Sequence, residues 1–304
     1  MSEILAGGLS KVASQKRAAL APALLRTARP RQWLKNGLVL TAPAGAGALG
    51  SWETLRPLSL TFLAFCLVAS GVYFLNDVRD VEQDRRHPRK CARPIAAGVV
   101  PIPVAIFLGI VLMLFGFATA SAVGWPVAAV VAGYVALTSA YTVWLKNLPV
   151  IELAAVAGCF VARALAGGAA TDVPLSRWYL IVVSFTALFV VAAKRHSEQL
   201  ENGTSGSTRA ALAAYPLSFL RYVWMLASGV GVVAYCLWAF AQDAGATVPM
   251  HTLTIIPFVL FLLHYALLVE RGEGGAPEEL IVRDRTLLVL GSAWVALYAA
   301  AVAL

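Results

Sequence analysis

Nine apolar runs, most of them close to a membrane's thickness in helical length, leave this chain few ways to fold. The clearest are 102–122 and 125–143, which follow one another across a two-residue break and carry no charged side chain. The others cover 34–50, 55–75, 149–168, 178–194, 217–240, 252–269 and 286–303. About 20 apolar residues of helix cross the hydrocarbon core of a bilayer. In lipid every backbone N–H and C=O must be satisfied inside the chain, so such runs read as helices. The expected fold is all-α, a polytopic membrane bundle of about nine transmembrane helices.

Composition agrees. The 304 residues are 60% hydrophobic and 13% charged, with a mean hydropathy of +0.76. Soluble domains run nearer half apolar and a quarter charged. Little chain remains for a separate soluble domain. The expected organisation is a cytoplasmic tail over 1–28 followed by one transmembrane domain over 29–304. Ser10 to Leu25 fits either a basic helix lying on the membrane surface or a disordered tail. Met1 to Arg26 lacks a compact apolar core followed by a small-residue cleavage site, so no cleaved signal peptide is expected.

The net charge of +8 would raise nucleic acid as a partner in a soluble protein. Here the positive-inside rule accounts for it, so no nucleic-acid partner is expected. Lys11, Lys16, Arg17, Arg26, Arg29 and Arg31 precede the first run, and Lys35 lies at its start. Arg79, Arg85, Arg86, Arg89, Lys90 and Arg93 follow the second, Lys146 the fourth, and Lys194, Arg195, Arg209 and Arg221 surround the loop after the sixth. Arg271, Arg283 and Arg285 precede the last. The opposite loops hold Arg56 and Arg177. That asymmetry predicts a plasma (inner) membrane protein with a cytoplasmic N-terminus, cytoplasmic polar loops and an external C-terminus. A transporter would place ionisable groups near mid-membrane on broken helices, whereas this chain places nearly all of them at cytoplasmic helix ends. Cys66, Cys91, Cys159 and Cys236 form no CxxC pair, and structural disulfide or zinc readings are weak.

The strongest chemical signal is Tyr73-Phe74-Leu75-Asn76-Asp77-Val78-Arg79-Asp80-Val81-Glu82-Gln83-Asp84, where the second run leaves the bilayer. On a helix Asp77, Asp80 and Asp84 fall at i, i+3 and i+7, and Asn76, Asp80 and Asp84 at i, i+4 and i+8, on one face. Carboxylates stacked that way repel unless a cation neutralises them. Mg²⁺ is the natural one, because it takes one or two carboxylates and completes its shell with phosphate oxygens and water. Asn76, Asp77, Asp80 and Asp84 are therefore the candidate metal ligands, and the three acids the candidate catalytic residues. The plain alternative is a solvated helix end capped by Asn and Asp.

Bases interleave with these acids. Tyr73, Arg79, Arg85, Lys90 and Arg93 are candidate substrate contacts, since Arg offers phosphate a fork of donors and Lys a compact charge. Topology alone accounts for part of this run. Lys35 and Asn36 lie deeper than topology requires and are candidates for phosphate contact. Tyr141 and Lys146, at the end of the fourth run, fit either a substrate site or an aromatic belt with a snorkelling lysine. Lys194-Arg195-His196-Ser197-Glu198 leaves the sixth run, with Lys194 and Glu198 at i, i+4, where the bland account is a surface ion pair. Glu152 is a candidate to join the site from the fifth run. Arg163, costly at mid-helix by about 2.5–3.5 kcal/mol, reads as an internal structural partner. His264 and Asp243 read as structural.

Asn76-Asp77-x-x-Asp80-x-x-x-Asp84, the Tyr141 and Lys146 loop and nine runs together resemble the UbiA superfamily of intramembrane prenyltransferases. The resemblance covers most of the chain. It implies a cytoplasm-facing active-site cavity, Mg²⁺ as cofactor and a lipid substrate in the bilayer. Members usually carry a second motif, DxxxD, after span six, where this sequence has Lys194-Arg195-x-x-Glu198. That departure, with Arg29-Pro30-Arg31-Gln32-Trp33-Leu34-Lys35-Asn36 and Arg93-Pro94-Ile95-Ala96-Ala97-Gly98, resembles one branch, the decaprenylphosphoryl-5-phosphoribose synthases of mycobacteria and relatives. The branch implies transfer of 5-phosphoribose from phosphoribosyl pyrophosphate (PRPP) to decaprenyl phosphate, feeding cell-wall arabinan. Exchanging acids for Lys194 and Arg195 would replace metal-bridged binding by direct binding of a phosphate.

Other readings stay open at this stage. An aromatic or quinone prenyltransferase shares the first motif but should carry the second. A CDP-alcohol phosphotransferase should carry DGxxAR, which is absent. A lipid or phosphate transporter is disfavoured by the one-sided charge. Gly- and Ala-rich spans would permit close packing in a homo-oligomer.

Overall fold

The structure is a computed structural model that describes residues 20–88, 90–202, 212, 214–245 and 248–303. The proposed tail helix over 10–25 falls mostly outside them, as do Arg89 and Arg209. Residues 20–28 are helical.

Among the described residues there is no strand, and eight helices are long and apolar enough to cross a membrane. They are α1 (Trp52–Arg79), α2 (Ile102–Val123), α3 (Trp125–Val143), α4 (Ile151–Thr171), α5 (Arg177–Asn202), α6 (Leu217–Gln242), α7 (Met250–Glu270) and α8 (Arg285–Ala303). Each matches one expected run. The ninth, 34–50, is helical but broken. A 3₁₀ segment Pro30–Leu40 leads into a short α-helix Thr41–Gly45 and a 3₁₀ turn Ala48–Gly50. Gly37, Pro43, Gly45 and Gly47 interrupt the run, and Gly47 adopts a left-handed φ of +67°, so no continuous α-helix forms there.

Large apolar side chains point outward. Phe107, Leu114 and Phe115 on α2 are each more than 60% exposed, the inverse of a water-soluble bundle and the pattern expected against lipid.

Contacts divide the chain into two units. One comprises residues up to Gly37 with Ser59–Val135; the other comprises Leu38–Leu58 with the chain from Ala136 onward. In the first, α1 and α2 meet through small residues. A Cβ at Gly71 would come 2.6 Å from the Gly109 carbonyl oxygen, and one at Gly116 would come 2.9 Å from that of Ala64. Close backbone approach of this kind is how lipid-embedded helices gain van der Waals contact. At the end of α1, Phe74 is buried with Val81, Ile95, Val100 and Ala105, which fixes the rotation of the last turns. α1 has 28 residues, about 42 Å at 1.5 Å per residue, against a hydrocarbon core of about 30 Å. It is therefore longer than the core is thick, and Asn76 and Asp77 lie in its last four residues.

In the second unit, α5 packs along α6 and against α4. Phe189, Trp224 and Tyr265 form an aromatic centre, with ring centroids 6.1 and 5.5 Å from Phe189. Arg163 turns back on its own helix, donating to the Cys159 carbonyl at 2.5 Å beside the Phe160 ring. His264 pairs with Asp284 at 3.1 Å, and Asp243 accepts the backbone N–H groups of His251 and Thr252. These are the structural roles expected of them. All four cysteines are free.

Candidate functional site

Two buried charged clusters stand out, one in each unit. The first forms where α1 ends. The helix turns at Asp80 and continues as Val81–Arg86. The hydrogen-bond register carries through, because Asp80 N–H bonds the Asn76 carbonyl at 2.9 Å and Asp84 N–H that of Asp80 at 2.8 Å. Asp77 and Asp84, seven residues apart, are both 3% exposed. Arg93 bridges them, one nitrogen (Nη1) lying 3.1 Å from Asp77 Oδ1 and 2.6 Å from Asp84 Oδ2. Arg29 reaches the same Asp77 oxygen at 2.5 Å and stacks over the Tyr73 ring at 4.7 Å. Arg29 itself is held at φ +54° ahead of Pro30, a conformation uncommon outside glycine.

The expected group of three acids is not assembled. Among the described residues no three His, Cys, Asp or Glu side chains lie close enough to share a metal ion. Asp80, at the turn, is half-buried, and the shared cation position is defined by Asp77 and Asp84. That pair still fits Mg²⁺. A single cation already contacts both carboxylates, and two carboxylates with phosphate oxygens and water make an ordinary magnesium shell.

The surrounding candidates divide. Arg79 and Arg85 are exposed, and Arg85 donates to Glu82 at 2.8 Å and to the Ala96 carbonyl at 3.3 Å. Lys90 is half-buried, its amide bonding His87 Nδ1 at 3.3 Å. Lys35 donates to Gln32 at 2.5 Å. Asn36 is 1% exposed and donates to Cys66 Sγ at 3.2 Å, so its amide is engaged inside the fold. Arg29 opens the Arg29-Pro30-Arg31-Gln32-Trp33-Leu34-Lys35-Asn36 motif but was not among the candidate site residues.

The second cluster belongs to the other unit. Arg195 on α5 meets Glu152 on the first turn of α4 in a two-pronged pair, Nε to Oε1 at 3.0 Å and Nη2 to Oε2 at 2.9 Å. Its Nη1 donates to Glu198 at 2.9 Å and its Nη2 to the Tyr141 hydroxyl at 3.3 Å. The side chains of Arg195 and Glu152 are 5% and 3% exposed. Lys194 is half-buried beside it, and Lys146 lies half-buried in the 3₁₀ turn Leu145–Asn147. Glu198, one turn from Lys194, pairs with Arg195. Glu152 lies in this cluster, and Arg195 Nε, Nη1 and Nη2 are all engaged by Glu152, Glu198 and Tyr141. Its guanidinium is committed to protein partners, because an unpaired charge at this depth would cost several kcal/mol.

The clusters differ in one decisive respect. Arg29 and Arg93 are each 30% exposed, so they reach their buried aspartates from an open side. Arg195 and Glu152 are closed off together.

Comparison with known proteins gives the family. Residues 37–279 match the UbiA prenyltransferase family. The chain belongs to it. A Mycobacterium tuberculosis relative named decaprenyl-phosphate phosphoribosyltransferase is 42% identical over 297 residues, covering 96% of this chain and 98% of that protein. A Corynebacterium glutamicum relative of the same name is 40% identical, covering 91% and 85%. Among solved structures, a UbiA homolog from Archaeoglobus fulgidus bound to GPP and Mg²⁺ superposes with a TM-score of 0.67 at 18% identity, over 93% of this chain and 100% of that one. That likeness concerns the fold. With UbiA membership and its apolar spans, the chain is a polytopic integral membrane protein of the all-helical UbiA type, and a transferase.

Proposed function

We propose that this UbiA family member transfers the 5-phosphoribosyl group of PRPP to decaprenyl phosphate, releasing diphosphate, at the cytoplasmic face of the plasma membrane. The product would serve cell-wall arabinan synthesis. The observation that carries this reading is the buried Arg195–Glu152–Glu198 cluster. An enzyme that grips a prenyl diphosphate between two acidic motifs needs carboxylates available to metal at both. Here both carboxylates near the second position are paired with the Arg195 guanidinium, Glu152 at 3% and Glu198 at 23% exposure, which leaves one acidic motif for metal. The near-full-length similarity to relatives named for this transfer supports the same choice.

Asp77 and Asp84, with Asn76 and Asp80 beside them, would hold Mg²⁺, which when bound offsets negative charge on the departing diphosphate. Arg93 and Arg29 would pass from the aspartates to phosphate oxygens as substrate enters. Lys35, Arg79, Arg85, Lys90, Lys146 and Lys194 are the candidates for the remaining phosphates. Tyr141, Glu152 and Glu198 orient Arg195 and fix the polar ends of α4 and α5. Chemically, the C1–O bond to diphosphate breaks and a C1–O bond to the lipid phosphate forms. The nucleophile is already an anion, so no general base is required, and catalysis is positioning and charge stabilisation.

Purified protein given radiolabelled PRPP and decaprenyl phosphate should form a labelled lipid, and chelating Mg²⁺ should stop it. Reaction of labelled decaprenyl diphosphate with 4-hydroxybenzoate instead would overturn the assignment.

A further inference from the structure

Helix α4 opens on an unusual backbone. Val150 has φ +68° and ψ −50°, and Ile151 N–H bonds the Pro149 carbonyl at 2.8 Å. Together these make a γ-turn of the positive-φ kind, rare for any L residue and least tolerated by a β-branched one. The Val150 amide is spent outside the helix. It donates to the Tyr215 hydroxyl oxygen at 2.6 Å.

Tyr215 is well placed to hold it. The residue is 3% exposed, and its ring stacks on Phe219 with centroids 5.6 Å apart and planes 11° from parallel. It packs in one cluster with Leu153, Val191 and Leu220, so its hydroxyl position is fixed by neighbours from α4, α5 and α6. Burial pushes the Tyr215 hydroxyl above the ordinary tyrosine range, and the group feels the charges of Glu152 and Arg195. It therefore stays neutral and remains an acceptor at working pH.

Two residues past Val150 stands Glu152. A first-turn side chain takes its direction from the dihedrals at the helix start, so the turn at Val150 sets where the Glu152 carboxylate points. We propose that Tyr215 is a positioning residue for the transfer reaction: by accepting the Val150 amide it holds the strained turn that aims Glu152 at Arg195 and Tyr141. It contacts none of the reacting groups. The inference rests on the proposed function, in which that cluster fixes the polar ends of α4 and α5 that carry Lys194 and adjoin Lys146, candidates for the substrate phosphates.

Three variants of the full chain test it: Tyr215→Phe, Val150→Gly and the double variant. Tyr215→Phe should lower kcat about tenfold or more, as small misplacements at a distance from the chemistry do. The KM for decaprenyl phosphate should change by less than about twofold. Glycine adopts positive φ without steric cost, so adding Val150→Gly should restore most of the lost kcat. Hydrogen exchange at the Ile151–Leu153 amides should quicken in Tyr215→Phe and slow again in the double variant. If Tyr215→Phe fails to fold, recovery of folded, active protein in the double variant supports the proposal, and no recovery overturns it. A Tyr215→Phe kcat close to wild type overturns it, as does a double variant no better than Tyr215→Phe. A wild-type protein that makes no labelled lipid sinks the phosphoribosyl reading instead, and the exchange rates then decide the role of Tyr215 alone.

Discussion

Arg195 grips Glu152 through two parallel hydrogen bonds of 3.0 and 2.9 Å, with both side chains almost wholly out of solvent. A buried pair of this kind is poor evidence of stability as a unit, yet removing one member strands the other charge at a cost of about 3–5 kcal/mol. Arg195→Met and Glu152→Gln should therefore each lower the unfolding temperature in detergent markedly. The double variant should lose less than the sum of the two. Additive losses would mean that the two residues act independently.

Arg93 shares one nitrogen between Asp77 and Asp84, the two carboxylates proposed to hold Mg²⁺. Arg93→Gln should lower the Mg²⁺ concentration that gives half-maximal activity, because the competing cation is gone. It should also raise the KM for PRPP, because a phosphate donor is gone. An unchanged Mg²⁺ requirement would show that the guanidinium does not compete for the aspartates.

Asp80 separates chemistry from folding. It stands half-buried at the turn between α1 and Val81–Arg86. Asp80→Ala should abolish formation of the labelled lipid while leaving the unfolding temperature near wild type. Asp77→Ala should lose both, since it leaves the Arg29 and Arg93 charges without their shared partner. Normal turnover in Asp80→Ala would remove Asp80 from the metal site.

Eight helices were legible because lipid reduces the problem to length and apolarity, and runs such as 102–122 satisfy both without ambiguity. The run 34–50 was harder. Its apolarity suggested a span, but its glycines and proline decide its local backbone, and these act through dihedrals that hydropathy does not read. That Asp77 and Asp84 fall on one face was legible from spacing. Which carboxylates would share a cation was not, because that depends on Arg29 and Arg93 folding back from separate parts of the chain. The pairing of Arg195 with Glu152 was not legible, because the two lie 43 residues apart and neither carries a mark of it in sequence. Val150 is plainer still. Nothing in Leu148-Pro149-Val150-Ile151 announces a valine at positive φ.

Gly71 lets α1 and α2 approach until backbone meets backbone. A side chain there would meet the Gly109 carbonyl and Met113, and backbone cannot yield as a flexible side chain can. Gly71→Val should cost about 1–3 kcal/mol by overpacking. It should also weaken Mg²⁺-dependent turnover, since α1 delivers Asp77 on its last turns. A variant with lowered unfolding temperature but unaltered Mg²⁺ dependence would mean that the acidic motif is positioned by the Phe74 cluster alone.

Asp284 caps α8, and its carboxylate gives the chain an acid limit. The Leu287 N–H donates to Asp284 Oδ1 at 2.8 Å, and His264 Nε2 lies 3.1 Å from the same oxygen. The Leu287 amide, with His264 beside it, holds the carboxyl below its ordinary value. A carboxyl whose pKa is lower folded than unfolded stabilises the fold above the unfolded value, and that contribution disappears as pH falls through the folded one. Stability should accordingly decline on the acid side, below about pH 4. Asp284→Asn keeps an acceptor for Leu287 but cannot titrate, so its unfolding temperature should be lower than wild type near neutrality and should approach the wild-type value as pH falls. Parallel curves over the whole acid range would show that some other carboxylate sets the limit.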